Sequence, residues 1–179
     1  MRIDLNLPSL AVTVVTAAAA QGQWPVTDWL PAKIPFLTAV GLYYALTKPW
    51  PVAVTALVWA GALTDALGGL PLFCTLSYLL AVYWAVRVMQ RVFLDATLSR
   101  GMLLVAGAAA GQTLWMRLWA GSYEPLLAWQ TLAALGASAQ AGLLAGFVVF
   151  ALCGRMDRLS GMIRPVKEND GILWAETDC

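Results

Sequence analysis

The residue best placed to do chemistry is Asp65, a carboxylate in an otherwise apolar run from Gly61 to Leu67, followed by Gly68-Gly69-Leu70-Pro71-Leu72. A carboxylate works as acid, base or nucleophile only with a second reactive group in reach. The chain contains no histidine, which removes the usual neutral-pH base and the commonest metal ligand. Its three cysteines, Cys74, Cys153 and Cys179, are scattered without a C-x-x-C spacing. That pattern fits neither a disulfide framework nor a zinc site, and Cys74 and Cys153 read as small apolar helix residues. The residues therefore predict no catalytic group, no metal site and no cofactor.

The elements that must position Asp65 follow from composition. Of 179 residues, 60% are hydrophobic and 12% charged, with a mean hydropathy of +0.71. Globular chains average about 45–50% apolar residues. The apolar runs are continuous rather than alternating, which favours membrane helices over a barrel. The reading is an all-α polytopic membrane protein with six transmembrane helices, over about 7–21, 29–47, 52–67, 72–90, 101–119 and 126–153. Residues 1–154 form the transmembrane domain and 155–179 a polar cytoplasmic tail. The n-region has Arg2 offset by Asp4, so the first helix reads as retained rather than as a cleaved signal. Pro31 and Pro35 are placed in the early turns of the second helix, where a missing N–H is least costly.

Charge orients this bundle. With both termini cytoplasmic, nine of the eleven Lys and Arg residues fall inside, among them Lys48, Arg87, Arg91, Arg100 and Arg155, and only Lys33 and Arg117 fall outside. The cluster Arg87, Arg91 and Arg100 reads first as this topology signal and second as a site for anionic headgroups. The net charge of +1 and the lack of a basic tract argue against nucleic acid. Membrane lipid is the expected surrounding.

Counting from the cytoplasmic ends at 1.5 Å per residue puts Asp65, Gln112 and Gln140 in one layer roughly 20 Å deep. A charged Asp at a helix centre costs about 2.5–3.5 kcal/mol, so it needs a partner or a wet cleft. Two outcomes are open. Asp65 caps the Gly68-Gly69 turn or reaches headgroups, or it meets Gln112 or Gln140 to fix the bundle or line a cavity. Small residues supply close-packing faces, with Gly107-x-x-x-Gly111 in the fifth helix and Gly142-x-x-x-Gly146 in the sixth, so these two helices are expected to touch. Asp65 with its turn Gly68, Gly69 and Pro71 is expected to fix the third helix against the fifth and sixth. Trp59, Tyr78, Tyr83, Trp84 and Trp115 read as packing or interface anchors, with ligand stacking as the rival.

The order of features resembles the rod shape-determining protein MreD family. The residues that carry the resemblance are Pro35, Tyr43-Tyr44-Ala45-Leu46, Lys48-Pro49, then Gly61, Asp65, Gly69 and Pro71-Leu72, then Leu76, Tyr78-Leu79 and Tyr83. It covers about Pro31 to Val86, and Phe73 departs from it where the family usually has glycine after Pro-Leu. The resemblance implies a non-enzymatic inner-membrane scaffold of cell elongation, a partner of MreC that links MreB and the peptidoglycan synthases, with no small-molecule ligand. That family is similar in its six-helix topology to energy-coupling-factor transporter S-component bundles. The layer of Asp65, Gln112 and Gln140 with its nearby aromatics motivates the alternative, a substrate-binding membrane subunit of a vitamin-type transporter.

Overall fold

The computed structural model describes residues 6–23, 33–71, 73–90, 98–119 and 129–159. Regular structure among the described residues is all helical: α1 Asn6–Gln23, α2 Phe36–Thr47, α3 Trp50–Gly68, α4 Cys74–Gln90, α5 Leu98–Trp119 and α6 Trp129–Leu159. Among the described residues two helices are long and apolar enough to cross a membrane, Trp50–Gly68 with mean hydropathy 1.4 and Trp129–Asp157 with 1.8. Pro31, Arg91, the interface residues Trp24 and Trp29, and the tail from residue 160 lie outside the described residues.

The helix ends follow from local chemistry. Pro35 does not sit in the first turns of α2, as expected, but immediately before it, at the N-cap with φ −85°. It has no side chain to cap with, and Gln21 at the end of α1 substitutes: its Oε1 accepts the Leu37 N–H at 3.0 Å. Lys48 precedes a proline, which disfavours helical backbone, and it is extended at φ −118° and ψ 158°. The chain turns there and restarts as α3. Gly69 ends α3 in the left-handed region at φ 62°, where only glycine sits without penalty. The Leu70 N–H then reaches back to the Asp65 carbonyl at 3.0 Å, the bond that closes a Schellman turn.

α2 is the axis of the molecule. Ten of its twelve residues, Phe36 to Ala45, are buried, and it touches each of the other five helices. A helix apolar on every side belongs in the middle of a bundle. Around it the others follow in the order α1, α3, α4, α5, α6, each touching the next, with the arc open between α6 and α1. Sequence neighbours run antiparallel, because Gln21 meets Leu37, Asp65 meets Thr75 and Arg117 meets Thr131 at one end. Tyr43 and Lys48 meet Asp157 at the other.

One expectation is overturned at this level. α3 packs on α1, α2 and α4 and does not touch α5 or α6. The most extensive helix contact is the expected one between α5 and α6.

Candidate functional site

Asp65 is 1% exposed, and its Oδ1 accepts the Thr75 backbone N–H at 2.8 Å. Thr75 lies in the first turn of α4, where N–H groups have no partner within the helix and the helix dipole favours a negative charge. The residue that should cap α4 is Phe73, which has no acceptor in its side chain and stands at φ 76°. Asp65 supplies the missing acceptor from the preceding helix. It therefore fastens the start of α4, which is neither of the two open outcomes: its side chain bonds neither Gly68 or Gly69 nor Gln112 or Gln140 among the described residues. Its second oxygen, Oδ2, and the Thr75 hydroxyl oxygen are buried with no hydrogen-bond partner among the described residues.

The close approach of α3 to α4 has a second cause. A Cβ on Gly61 would lie 2.7 Å from the Cα of Leu76, so only glycine allows the two backbones to meet there. α4 is tied in turn to α5, by the Tyr78 hydroxyl on the Ala108 carbonyl at 2.8 Å and the Trp115 indole N–H on the Cys74 carbonyl at 3.0 Å. Tyr78 and Trp115 thus act as packing anchors with satisfied polar tips. Trp59 and Trp84 are half exposed or more, at 50% and 69%, and Tyr83 lies under the Arg87 guanidinium at 5.3 Å. None of these five aromatics lines the cavity between α3 and the α5–α6 pair.

The expected polar layer is dispersed. Gln112 is buried and its Oε1 accepts the Thr38 hydroxyl at 2.8 Å, joining α5 to α2, whereas Gln140 is exposed. Of the small residues, Gly142 and Gly146 make the α5–α6 seam: a Cβ on Gly142 would lie 2.8 Å from the Ala106 Cα, and one on Gly146 would lie 3.1 Å from the Met102 Cα. Gly111 instead makes room for the Tyr78 hydroxyl of α4. Gly107 is exposed with open space beside it. Of the turn residues, Gly68 borders a cavity and Pro71 accepts the Cys74 N–H at 3.1 Å.

In place of a packed contact between α3 and the α5–α6 pair there is a cavity of about 460 Å³. Thr64, Leu67 and Gly68 line it from α3, Gln112, Thr113 and Met116 from α5, Ser138 from α6, and Gln21 and Lys33 from the α1–α2 side. Its size falls within the range of about 300–1,000 Å³ usual for small-molecule pockets.

At the other end of the bundle lies a cluster that the sequence reading missed. α6 does not stop near Gly154 but continues to Leu159, and Asp157 Oδ2 receives the Tyr43 hydroxyl at 2.7 Å and the Lys48 ammonium at 2.8 Å. Both charged side chains are largely buried, 8% exposed for Lys48 and 14% for Asp157. Arg87 adds a bond to the Lys48 carbonyl at 3.3 Å and one to the Tyr83 hydroxyl at 3.1 Å. The available signal was periodicity, since Gly146, Val149, Phe150, Cys153 and Asp157 continue one helical face past the change in composition.

No family model, curated protein or solved structure matches this chain.

Proposed function

We propose that this chain is a non-enzymatic membrane scaffold of the MreD type, with six membrane spans, both termini in the cytoplasm and a place in the inner membrane of a bacterium. The observation that carries the reading is the α3–α4 element. The residues on which the family resemblance rests form one fastened unit, with Gly61 against Leu76, Asp65 on the first turn of α4 and Gly69 in the left-handed region. Phe73, which stands where that family usually has glycine, holds a backbone conformation that suits glycine, at φ 76°.

The alternation of helix directions supports the six spans. It puts Lys48, Arg87, Arg100 and Arg155 at one end and Lys33 and Arg117 at the other, the distribution that the positive-inside rule assigns to cytoplasm and exterior. Large apolar side chains point outward all around the bundle, among them Val12, Trp59, Trp84, Leu103 and Phe147. That surface suits lipid or other membrane helices and leaves little extramembrane mass. Such a protein would act through helix faces and short loops on an MreC-like partner and, through it, on MreB and the peptidoglycan synthases.

Depletion in a rod-shaped host should round the cells, and affinity capture should recover the MreC-like partner. Normal shape with no such partner would sink the reading. Within it, Asp65→Ala should impair shape maintenance and lower stability by about 1–3 kcal/mol, the usual cost of leaving a buried donor unsatisfied. Asp65→Asn keeps an acceptor for the Thr75 N–H and should be milder. A silent Asp65→Ala in complementation would remove the site from the mechanism.

The cavity favours a second reading, a transporter subunit that holds a small molecule. Depletion and capture separate the two, because loss of such a subunit should leave cell shape unchanged and capture should recover no MreC-like partner.

A further inference from the structure

The cavity between α3 and the α5–α6 pair has a polar lining whose free hydrogen-bonding capacity can be worked out group by group. Gln21 Oε1 is occupied by the Leu37 N–H, and since that partner can only donate, the amide orientation is fixed and the NH2 group remains. Gln112 Oε1 is occupied by the Thr38 hydroxyl, which again leaves an NH2 group. The hydroxyl protons are spent within the protein: Thr64 donates to the Ala60 carbonyl, Thr113 to the Ser138 hydroxyl, and Ser138 to the Ala134 carbonyl. Among the described lining residues Lys33 alone is charged; it is exposed at the edge of the cavity and makes no ion pair among the described residues.

Two amide NH2 groups and an ammonium therefore offer donors with no carboxylate among the described lining residues, while Leu67, Leu70, Met116 and Pro35 supply an apolar wall. From this geometry we infer that the cavity binds an amphiphilic anion, with a carboxylate or phosphate head on Lys33, Gln21 and Gln112 and an apolar body along α3 and Met116. A charge-assisted bond from Lys33 supplies the preference for an anion, and the paired amides supply orientation. The same head can belong to a water-soluble solute or to an anionic lipid. The inference rests on the cavity alone and stands whether the chain is a scaffold or a transporter subunit.

The full chain in nanodiscs of phosphatidylcholine alone is titrated with 4-phenylbutyrate and, as the uncharged match, 4-phenylbutyramide. In a second arm, nanodiscs containing phosphatidylglycerol are examined by native mass spectrometry for retained lipid. Saturable 1:1 binding of the carboxylate, at least tenfold tighter than the amide and reduced at least fivefold by Lys33→Gln, assigns the site to a soluble anion. Retention of one phosphatidylglycerol that is lost in Lys33→Gln assigns it to a lipid headgroup. Lys33 is exposed, so this variant should fold, and an unchanged melting temperature checks that. Equal binding of carboxylate and amide overturns the anion assignment and leaves a cavity of other specificity. No saturable binding in the first arm together with Lys33-independent lipid retention in the second overturns the site altogether. Neither result bears on cell shape or capture of an MreC-like partner, which test the scaffold separately.

Discussion

Phe73 and Asp65 share the task of starting α4, and each is an unusual choice. A non-glycine residue in the left-handed region costs about 1–2 kcal/mol, and Phe73 is 60% exposed, so its side chain returns little burial in exchange. Phe73→Gly should therefore raise the thermal stability of the purified chain, with a net gain of about 0.5–1 kcal/mol after the greater freedom of glycine in the unfolded chain is subtracted. A lower melting temperature would mean that the phenyl ring makes a contact worth more than the strain. Asp65 could be recognised in the sequence as a residue needing a partner, because a lone carboxylate in an apolar run is costly anywhere but at a donor-rich site. Which donor it meets was not readable, since the Thr75 N–H becomes available only once the turn has set the direction of α4.

At the scale of helices, glycines that look alike in sequence separate by what faces them. Gly61 meets the backbone of Leu76 and Gly107 meets open space. Gly61→Ala should destabilise by about 1–3 kcal/mol, the usual cost of forcing extra volume into a tight contact. Gly107→Ala should be neutral or slightly stabilising, since alanine is the better helix former. Melting both variants in the same detergent checks the contrast, and equal effects would contradict the packing described. The small-residue spacing showed that α5 and α6 would approach closely. It could not show that Gly111 serves α4 instead, because a spacing of four defines a face of a helix and not the neighbour that covers it.

Over the whole molecule, the Tyr43–Lys48–Asp157 cluster ties the end of the last described helix to the turn between α2 and α3. Exposed ion pairs are worth about 0.2–1 kcal/mol, but this one is largely buried, and removing Lys48 takes the balancing ammonium from the Asp157 carboxylate. Lys48→Met should destabilise by about 3–5 kcal/mol, and adding Asp157→Leu to it should recover part of that loss. Additive losses in a double-mutant cycle would show that the pair is not coupled. The proposed orientation is checked by labelling. In a background without the native cysteines, Lys33→Cys should react with an impermeant maleimide from outside the cell and Arg155→Cys only after lysis. The reverse pattern would invert the topology.

The sequence by itself determined the six helices found among the described residues, because long apolar runs broken by Pro, Gly and charge satisfy their buried backbone groups most simply within one helix each. It also singled out the turn around Gly69, since the left-handed conformation there selects for glycine. Only the tertiary structure decided which helices are neighbours. Depth along a helix axis put Asp65, Gln112 and Gln140 at one level, but it carries no information about rotation around that axis. The three side chains point to Thr75, to Thr38 and outward. For the same reason the cavity was not readable: it exists because α2 takes the centre and holds α3 away from α5 and α6. The placement of a helix at the centre is settled by the fit of all six together.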